Sequence, residues 1–415
     1  MRLLALLPLL ALPKVLGWGA AGHEMVAIIA EIHLHPTVLA YIRTAPLLPP
    51  YAKGHLAYIA SWADKIRMVP EYRGWSGPLH YTSWEGDHPP ETCAWGKGEQ
   101  LGEGGWHSDK DVLHAIANYT TRLERNPEEC VFLFTMVSAF FRLIQTPLSS
   151  RLPPSHARRS VLCGDRLVTF LHMLFSWPSF NFLVHFLGDV HQPMHLTSRE
   201  RGGNGDPISW DGRHTNLHSL WDGLLIARTL REQTNYTSPL PSSQIESALI
   251  GRIYDPYIRL LLWEGVRSWY RSSLSTWLSC DASASLSASA SASPDQVTFS
   301  SAVGSEKRIE DVVCPVRWAT ETHKVTCGFA FPEGYDMHAQ PPQEIGGNSQ
   351  FWKDLKADHS LARLLLQAGL RLAATLNTVF AEPAHALAEE RGWIALLENK
   401  EEGPVNLEWL DAAER

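Results

Sequence analysis

Apolar positions recur at three- and four-residue spacing over six stretches: Gly22 to Ala40, Asp109 to Glu124, Asn181 to His191, His218 to Arg231, Gln244 to Thr276 and Asp358 to Ala381. That spacing matches the turn of an α-helix, so each stretch predicts a helix with one buried face. The apolar/polar alternation of strands is scarce. The pattern predicts a mainly α protein built as a single multi-helix domain over 18–381.

Four stretches depart from the pattern. Residues 1–17 carry Arg2, then an apolar run from Leu3 to Pro13, then Val15-Leu16-Gly17. This is the layout of a cleaved secretory signal peptide, and the run is too short to span a bilayer. Residues from about 131 to 180 combine apolar runs with a basic, proline-bearing middle, and read as an insertion or as a translated intron. Residues 281–301 repeat Ser and Ala and predict a flexible surface loop. Residues 382–415 are charged and are expected to be a peripheral tail.

Composition narrows the function. Hydrophobic residues make up 45% of 415, enough for a large core. The net charge is −8, and losing Arg2 and Lys14 with the leader takes it to −10. A chain so acidic is unsuited to broad electrostatic binding of duplex nucleic acid, unless bound metal ions supply the positive charge. Six cysteines without a CxxC pair, in a secreted chain, point to disulfides. Asn118 and Asn235 open glycosylation sequons. No membrane and no obligate protein partner is expected, and the chain is expected to be a monomer.

Candidate chemistry concentrates in Phe182-Leu-Val-His185-Phe-Leu-Gly-Asp189-Val-His191-Gln192-Pro193-Met194-His195. His185 and Asp189 are four apart and share one helix face, where nitrogen and oxygen donors can grip one cation. Pro193 would end the helix and turn His195 back. The device recurs at His218 and Asp222. Two such pairs and His195 within apolar helices point to metal, because buried imidazoles and carboxylates need partners. Asp64 and His80 are upstream candidates. If the leader is cut before Trp18, its α-amine (pKa ~8) and carbonyl oxygen could chelate a metal with His23.

Together these residues resemble the secreted zinc-dependent single-strand nucleases of fungi and plants, the S1/P1 type, whose fold is shared with bacterial zinc phospholipase C. The matching motifs are Trp18-Gly…Gly-His23, Trp62-Ala-Asp64, Leu79-His80-Tyr81, the His185 to His195 run, Gly202-Gly-Asn204 and Asn216-Leu-His218-x-x-Trp-Asp222. The resemblance implies three zinc ions. One would be held by Asp64, His80, His185 and Asp189. A second would be held by His195, His218 and Asp222. The third would take the Trp18 amine and carbonyl, His23 and a bridging Asp189. It also implies that Arg67 steadies the charged phosphorane, that Tyr81 stacks on a base and that Asn216 contacts substrate. Substrates would be single-stranded DNA and RNA and nucleoside 3′-phosphates, with 5′-phosphate products.

Ser83 stands where several family members carry an acidic residue, and Glu85 or Asp87 could substitute. The resemblance places a bridge from Cys93 to Cys314 or Cys327. The rival readings are a zinc phospholipase C-like phosphodiesterase and a metal-bound secreted protein without turnover.

Overall fold

The computed structural model describes residues 18–45, 47–95, 108–124, 177–280, 312–397 and 403–410. The expected leader, most of the 131–180 stretch, the Ser/Ala-rich loop, Cys130 and Cys163 lie outside the described residues. What is described is mainly α-helical, as the spacing of apolar positions predicts.

The first expected helix is two. α1 (Ala20–Ile32) ends in a turn at His33, and α2 (Pro36–Thr44) begins with Pro36. Proline has no N–H to donate, which costs nothing in a first helical turn but breaks a continuous helix. A short α3 (Trp62–Ile66) follows. α4 spans 112–124 and α5 spans 177–189. α6 (217–232) runs through Leu217–Ser219, a π-turn at Leu220–Leu224 and Leu225–Glu232. The expected Gln244 to Thr276 helix is likewise divided. It comprises Ser243–Ala248, a loop with Gly251 at φ +72°, and α7 (Asp255–Leu260), which continues as π-turns over Leu261–Trp269.

α8 (Pro315–Gly328) and α9 (Ser360–Arg391) complete the frame. α9 packs along α1 and α2 at the centre of the core. Gly369 makes the closest approach: a Cβ there would lie 2.5 Å from Ile29 Cγ2. By length and composition α9 could cross a membrane, but 89% of its most apolar window is buried in the protein.

The tail expectation is corrected. α9 runs through the boundary drawn at 381, and Val405, Trp409 and Leu410 are buried. The Trp409 indole donates to His33 Nε2 (3.4 Å), and Asn406 N donates to His33 O (2.9 Å). Apolar residues too few to form a helical pattern find cover on the turn between α1 and α2.

Among the described residues, the one strand pairing with a regular register is a hairpin, β1 (Pro207–Trp210) with β2 (Arg213–Asn216). Asp211 (φ +51°) and Gly212 (φ +75°) form its tight turn, the left-handed pair that suits the strand twist. Cys93 bridges to Cys327. Cys314 bridges to Cys280, so of the two expected partners for Cys93 only Cys327 is realised.

Candidate metal centre and the cleft beside it

Six elements, in five separate stretches of chain, deliver the candidate ligands to one buried point. α1 brings His23, α3 brings Asp64, a 3-10 turn at Gly77–His80 brings His80, and α5 brings His185 and Asp189. Gln192 caps the turn at Pro193–Leu196, accepting from Met194 N, and this turns His195 back toward α5. α6 brings His218 and Asp222, with Asp222 inside its π-turn. The extra residue of a π-turn rotates the side chains that follow it, which commonly marks a functional site.

Asp189 is the hub. Its Oδ2 lies 2.9 Å from His80 Nδ1 and 3.2 Å from His185 Nε2. Its Oδ1 lies 3.3 Å from His23 Nε2 and 3.3 Å from His195 Nδ1. Asp64 Oδ1 is 3.8 Å from both His80 Nδ1 and His185 Nε2. On the far side, His218 Nε2 faces Asp222 Oδ2 at 3.3 Å. Gln192 Nε2 donates to Asp222 Oδ1 (2.6 Å).

Three sets of atoms could each hold one cation: His23, His185 and Asp189; Asp64, His80 and His185; and His195, His218 and Asp222. Trp18 is fully buried just ahead of α1, and Gly19 N donates to Asp222 O (2.7 Å), which pins this N-terminal stretch beside the third set.

The unpaired atoms test whether metal fits. His23 Nδ1 and Nε2, both oxygens of Asp64, Asp189 Oδ1, and Nε2 of His80, His195 and His218 are buried without a hydrogen-bond partner. Such groups cost stability when left alone, and here they cluster. A nitrogen and oxygen donor set of this kind suits zinc and other borderline divalent cations.

Outer contacts orient the imidazoles. Nδ1 of His185 donates to Ala60 O (2.7 Å), that of His195 to His80 O (2.8 Å), and that of His218 to Gly202 O (2.5 Å). A carbonyl can only accept, so each Nδ1 carries a proton; Nε2 of the neutral His195 and His218 keeps its lone pair for a ligand, and a cation would displace the second proton of His185.

Charge follows burial and neighbours. Burial pushes His218 down to about 4 and lowers His23 and His195, which keeps them neutral. His185 goes the other way: burial opposes its charge, but Asp189 and Asp64 outweigh it and hold it at about 9. Burial also works against the Asp189 anion, yet His185, His195 and His80 keep its carboxyl well below the usual range. Burial drives Asp222 well above that range. A bound cation would reverse that last shift.

A cleft of about 530 Å³ opens beside the cluster, lined by Arg67, Tyr81 and Ser83 among others. Arg67 Nη1 lies 3.9 Å from Asp64 Oδ1 and donates to the Tyr81 hydroxyl (3.4 Å). The Tyr81 ring packs on His195 with centroids 4.4 Å apart, and burial pushes its hydroxyl up to about 12.

Asn216 Oδ1 accepts from Ser219 N (2.8 Å), so this side chain caps α6, a role that the Asn-Leu-His spacing could have revealed. Asp87 cannot stand in for the acid absent at Ser83, because it is buried and spent on His323 Nε2 (2.8 Å) and Ala94 N (3.0 Å). Glu85 is exposed. Asp111, in the cleft wall, was not flagged by sequence. Asn118, on α4, and Asn235, after α6, are exposed.

A family model described as S1/P1 nuclease matches residues 18–148 and 176–381. This chain belongs to the S1/P1 nuclease family. The gap in the match, 149–175, falls inside the stretch whose composition departs from the helical pattern. Endonuclease 4 of Arabidopsis thaliana is 26% identical over 377 residues, covering 89% of this chain and 91% of that protein. Nuclease P1 of Penicillium citrinum is 31% identical over 205 residues, 49% of this chain and 57% of its own. Nuclease S1 of Aspergillus oryzae is 28% identical over 206 residues, 50% of this chain and 53% of its own. Membership in the S1/P1 family makes this chain a nuclease, a hydrolase, with nucleic acid as its substrate class.

Proposed function

We propose that this chain is a secreted, zinc-dependent endonuclease. It cuts single-stranded DNA and RNA to 5′-phosphate products and removes phosphate from nucleoside 3′-phosphates. The observation that carries the reading is the buried ring of unpaired histidine and carboxylate atoms around Asp189, beside a cleft that Arg67 and Tyr81 line.

Asp64, His80 and His185, with Asp189, would hold one zinc ion. His195, His218 and Asp222 would hold a second. The Trp18 amine and carbonyl, His23 and Asp189 would hold the third. Zinc, when bound, supplies Lewis-acid polarisation of the phosphate and brings the pKa of the attacking water toward ~7. Arg67, half-buried beside Asp64, offers its guanidinium to the charge that grows on the phosphate oxygens. Tyr81 offers a ring face to a base. Stacking of this kind needs an unpaired base and is worth ~1–3 kcal/mol, which favours single strands of any sequence. Cleavage of the bond from phosphorus to the 3′ oxygen leaves the phosphate on the 5′ side.

The test is zinc content per chain together with hydrolysis of single-stranded DNA, on protein beginning at Trp18. A control carries one extra residue before Trp18. The reading expects three zinc ions and activity, with one zinc and most activity lost in the control. Fewer than two zinc ions, or lipid hydrolysis without nucleolysis, overturns it.

A further inference from the structure

The cleft holds more positive charge than one phosphate needs. Besides Arg67, it is lined by Lys110 and Arg201. Its acid, Asp111, offsets one of these three charges and is buried in the wall, with its oxygens engaged there. Asp111 Oδ1 accepts from His114 N (2.9 Å) and His114 Nδ1 (2.8 Å), and Oδ2 accepts from the Thr82 hydroxyl (2.8 Å). Arg67, which touches Tyr81 and lies 3.9 Å from Asp64, is assigned to the scissile phosphate in the reading above. Lys110 and Arg201 are exposed, and neither pairs with a carboxylate among the described residues. In a chain of net charge −8, two unpaired cations facing one cleft form a local attraction for anions.

Arg201 is held there by a strained backbone. Four successive residues take positive φ: Glu200 (+42°), Arg201 (+59°), Gly202 (+68°) and Gly203 (+77°). The two non-glycine residues sit in a left-handed region that costs energy and survives only where the surroundings enforce it. The surroundings are explicit. Arg201 N donates to Ser198 O (3.1 Å), Gly203 N to Arg199 O (2.9 Å) and Gly205 N to Glu200 O (2.9 Å). Asn204 Nδ2 donates to Arg201 O (2.7 Å), and His218 Nδ1 to Gly202 O (2.5 Å). The neighbouring Arg199 is buried and paired with Asp206 and Glu91, so it stabilises the turn while Arg201 faces the cleft.

We propose that Lys110 and Arg201 form a second phosphate subsite, which grips the phosphate of the nucleotide next to the scissile one. The favoured substrates then carry at least two phosphates, and internal linkages of a strand are cut faster than an isolated dinucleotide linkage. This rests on the nuclease reading above.

The experiment uses the metal-loaded full chain and three substrates: the thymidine dinucleotide TpT, its 5′-phosphorylated form and its 3′-phosphorylated form. One phosphorylated form should exceed TpT in kcat/KM by about tenfold, the scale of one charge-assisted hydrogen bond. In Lys110→Ala/Arg201→Ala that ratio should fall to near one, with melting temperature and metal content reported alongside. Lys110→Glu alone, at an exposed position, gives a second reading and should turn the preference against the phosphorylated form. Equal kcat/KM for all three substrates in the unaltered chain overturns the subsite, as does a preference that survives both variants. Failure to cut any of the three sinks the nuclease reading and the subsite with it.

Discussion

Gly188 lies so close to His23 that no side chain fits between α5 and α1: a Cβ on Gly188 would sit 2.6 Å from His23 Nδ1. The ring of His23 stacks on His185 at 3.7 Å between centroids, one turn earlier on α5. The absence of a side chain at 188 thus lets an imidazole from α1 reach Asp189.

Gly188→Ala therefore should displace His23 without touching the other two ligand sets. Metal affinity of the His23 position should fall on the order of 10–100-fold, the range seen when ligand-supporting groups are lost. Zinc per chain, measured after dialysis against a weak chelator, should drop by about one, in keeping with a single lost ligand. An unchanged zinc content would show that His23 does not need this space.

Asp189→Asn keeps the shape of the hub and removes its charge. His185, which Asp189 helps to hold at about 9, should titrate lower, as imidazole proton NMR on chelator-treated protein can follow. Breaking a buried charge pair from one side typically costs about 3–5 kcal/mol. Urea unfolding of the chelated variant should show a loss of that order, and a variant as stable as the parent would refute the hub role.

Chelation should destabilise the unaltered protein far more than a surface metal would. The eight buried atoms without partners would be left uncompensated, and ligands from five segments would lose their common tie. Differential scanning calorimetry with and without EDTA checks this. A shift under about 1 °C, roughly 1 kcal/mol or less in a chain of this size, would mean that the core holds the site together alone.

Gly369→Ala probes the α1–α9 contact away from the site. A methyl there would sit 2.5 Å from Ile29 Cγ2 and 3.1 Å from Val26 O. Overpacking of this kind costs roughly 1–3 kcal/mol and exceeds the gain in helix propensity. The melting temperature should fall while activity per folded molecule at low temperature stays the same.

His33 sets a pH dependence remote from the metal ligands. It is fully buried, its Nδ1 donates to Ile29 O (2.7 Å), and its Nε2 accepts from the Trp409 indole. Protonation would set one N–H against another, and burial pushes its pKa from 6.5 down to about 4. The unfolded chain binds that proton first, so stability is full above pH 6.5 and is lost as pH falls toward 4, by about 3 kcal/mol. His33→Gln should flatten this part of the stability curve relative to the parent. Parallel curves for the two proteins would assign the acid loss to other groups.

Most of the candidate site was legible because its chemistry is local in the chain. His185 with Asp189 and His218 with Asp222 are each four apart, and helical geometry alone puts them on one face. Motif order then linked them to Asp64, His80, His195 and His23, and the structure brings all eight within one buried cluster. Helix identity was legible for the same reason, since apolar spacing records which face is buried.

What spacing could not convey is anything that depends on a partner distant in sequence. The breaks at Pro36 and Gly251 cut helices that periodicity would have joined, because apolar rhythm persists across a turn when both sides face one core. The burial of Trp409 needs the turn at His33, 376 residues away. Cys93 could not choose between Cys314 and Cys327 until folding set Cys327 within bonding reach and gave Cys314 to Cys280. Asn216 lends its Oδ1 to Ser219 N, and only the fold reveals that Asp87 spends its carboxylate on His323 and Ala94. The cations of the cleft, Lys110 and Arg201, look like ordinary surface charges in the sequence. Which side chains can serve as ligands follows from residue type and short-range spacing, which covalent geometry enforces. Which atoms stay unpaired, and which cations meet in one cleft, follows from long-range packing, which no short window of sequence contains.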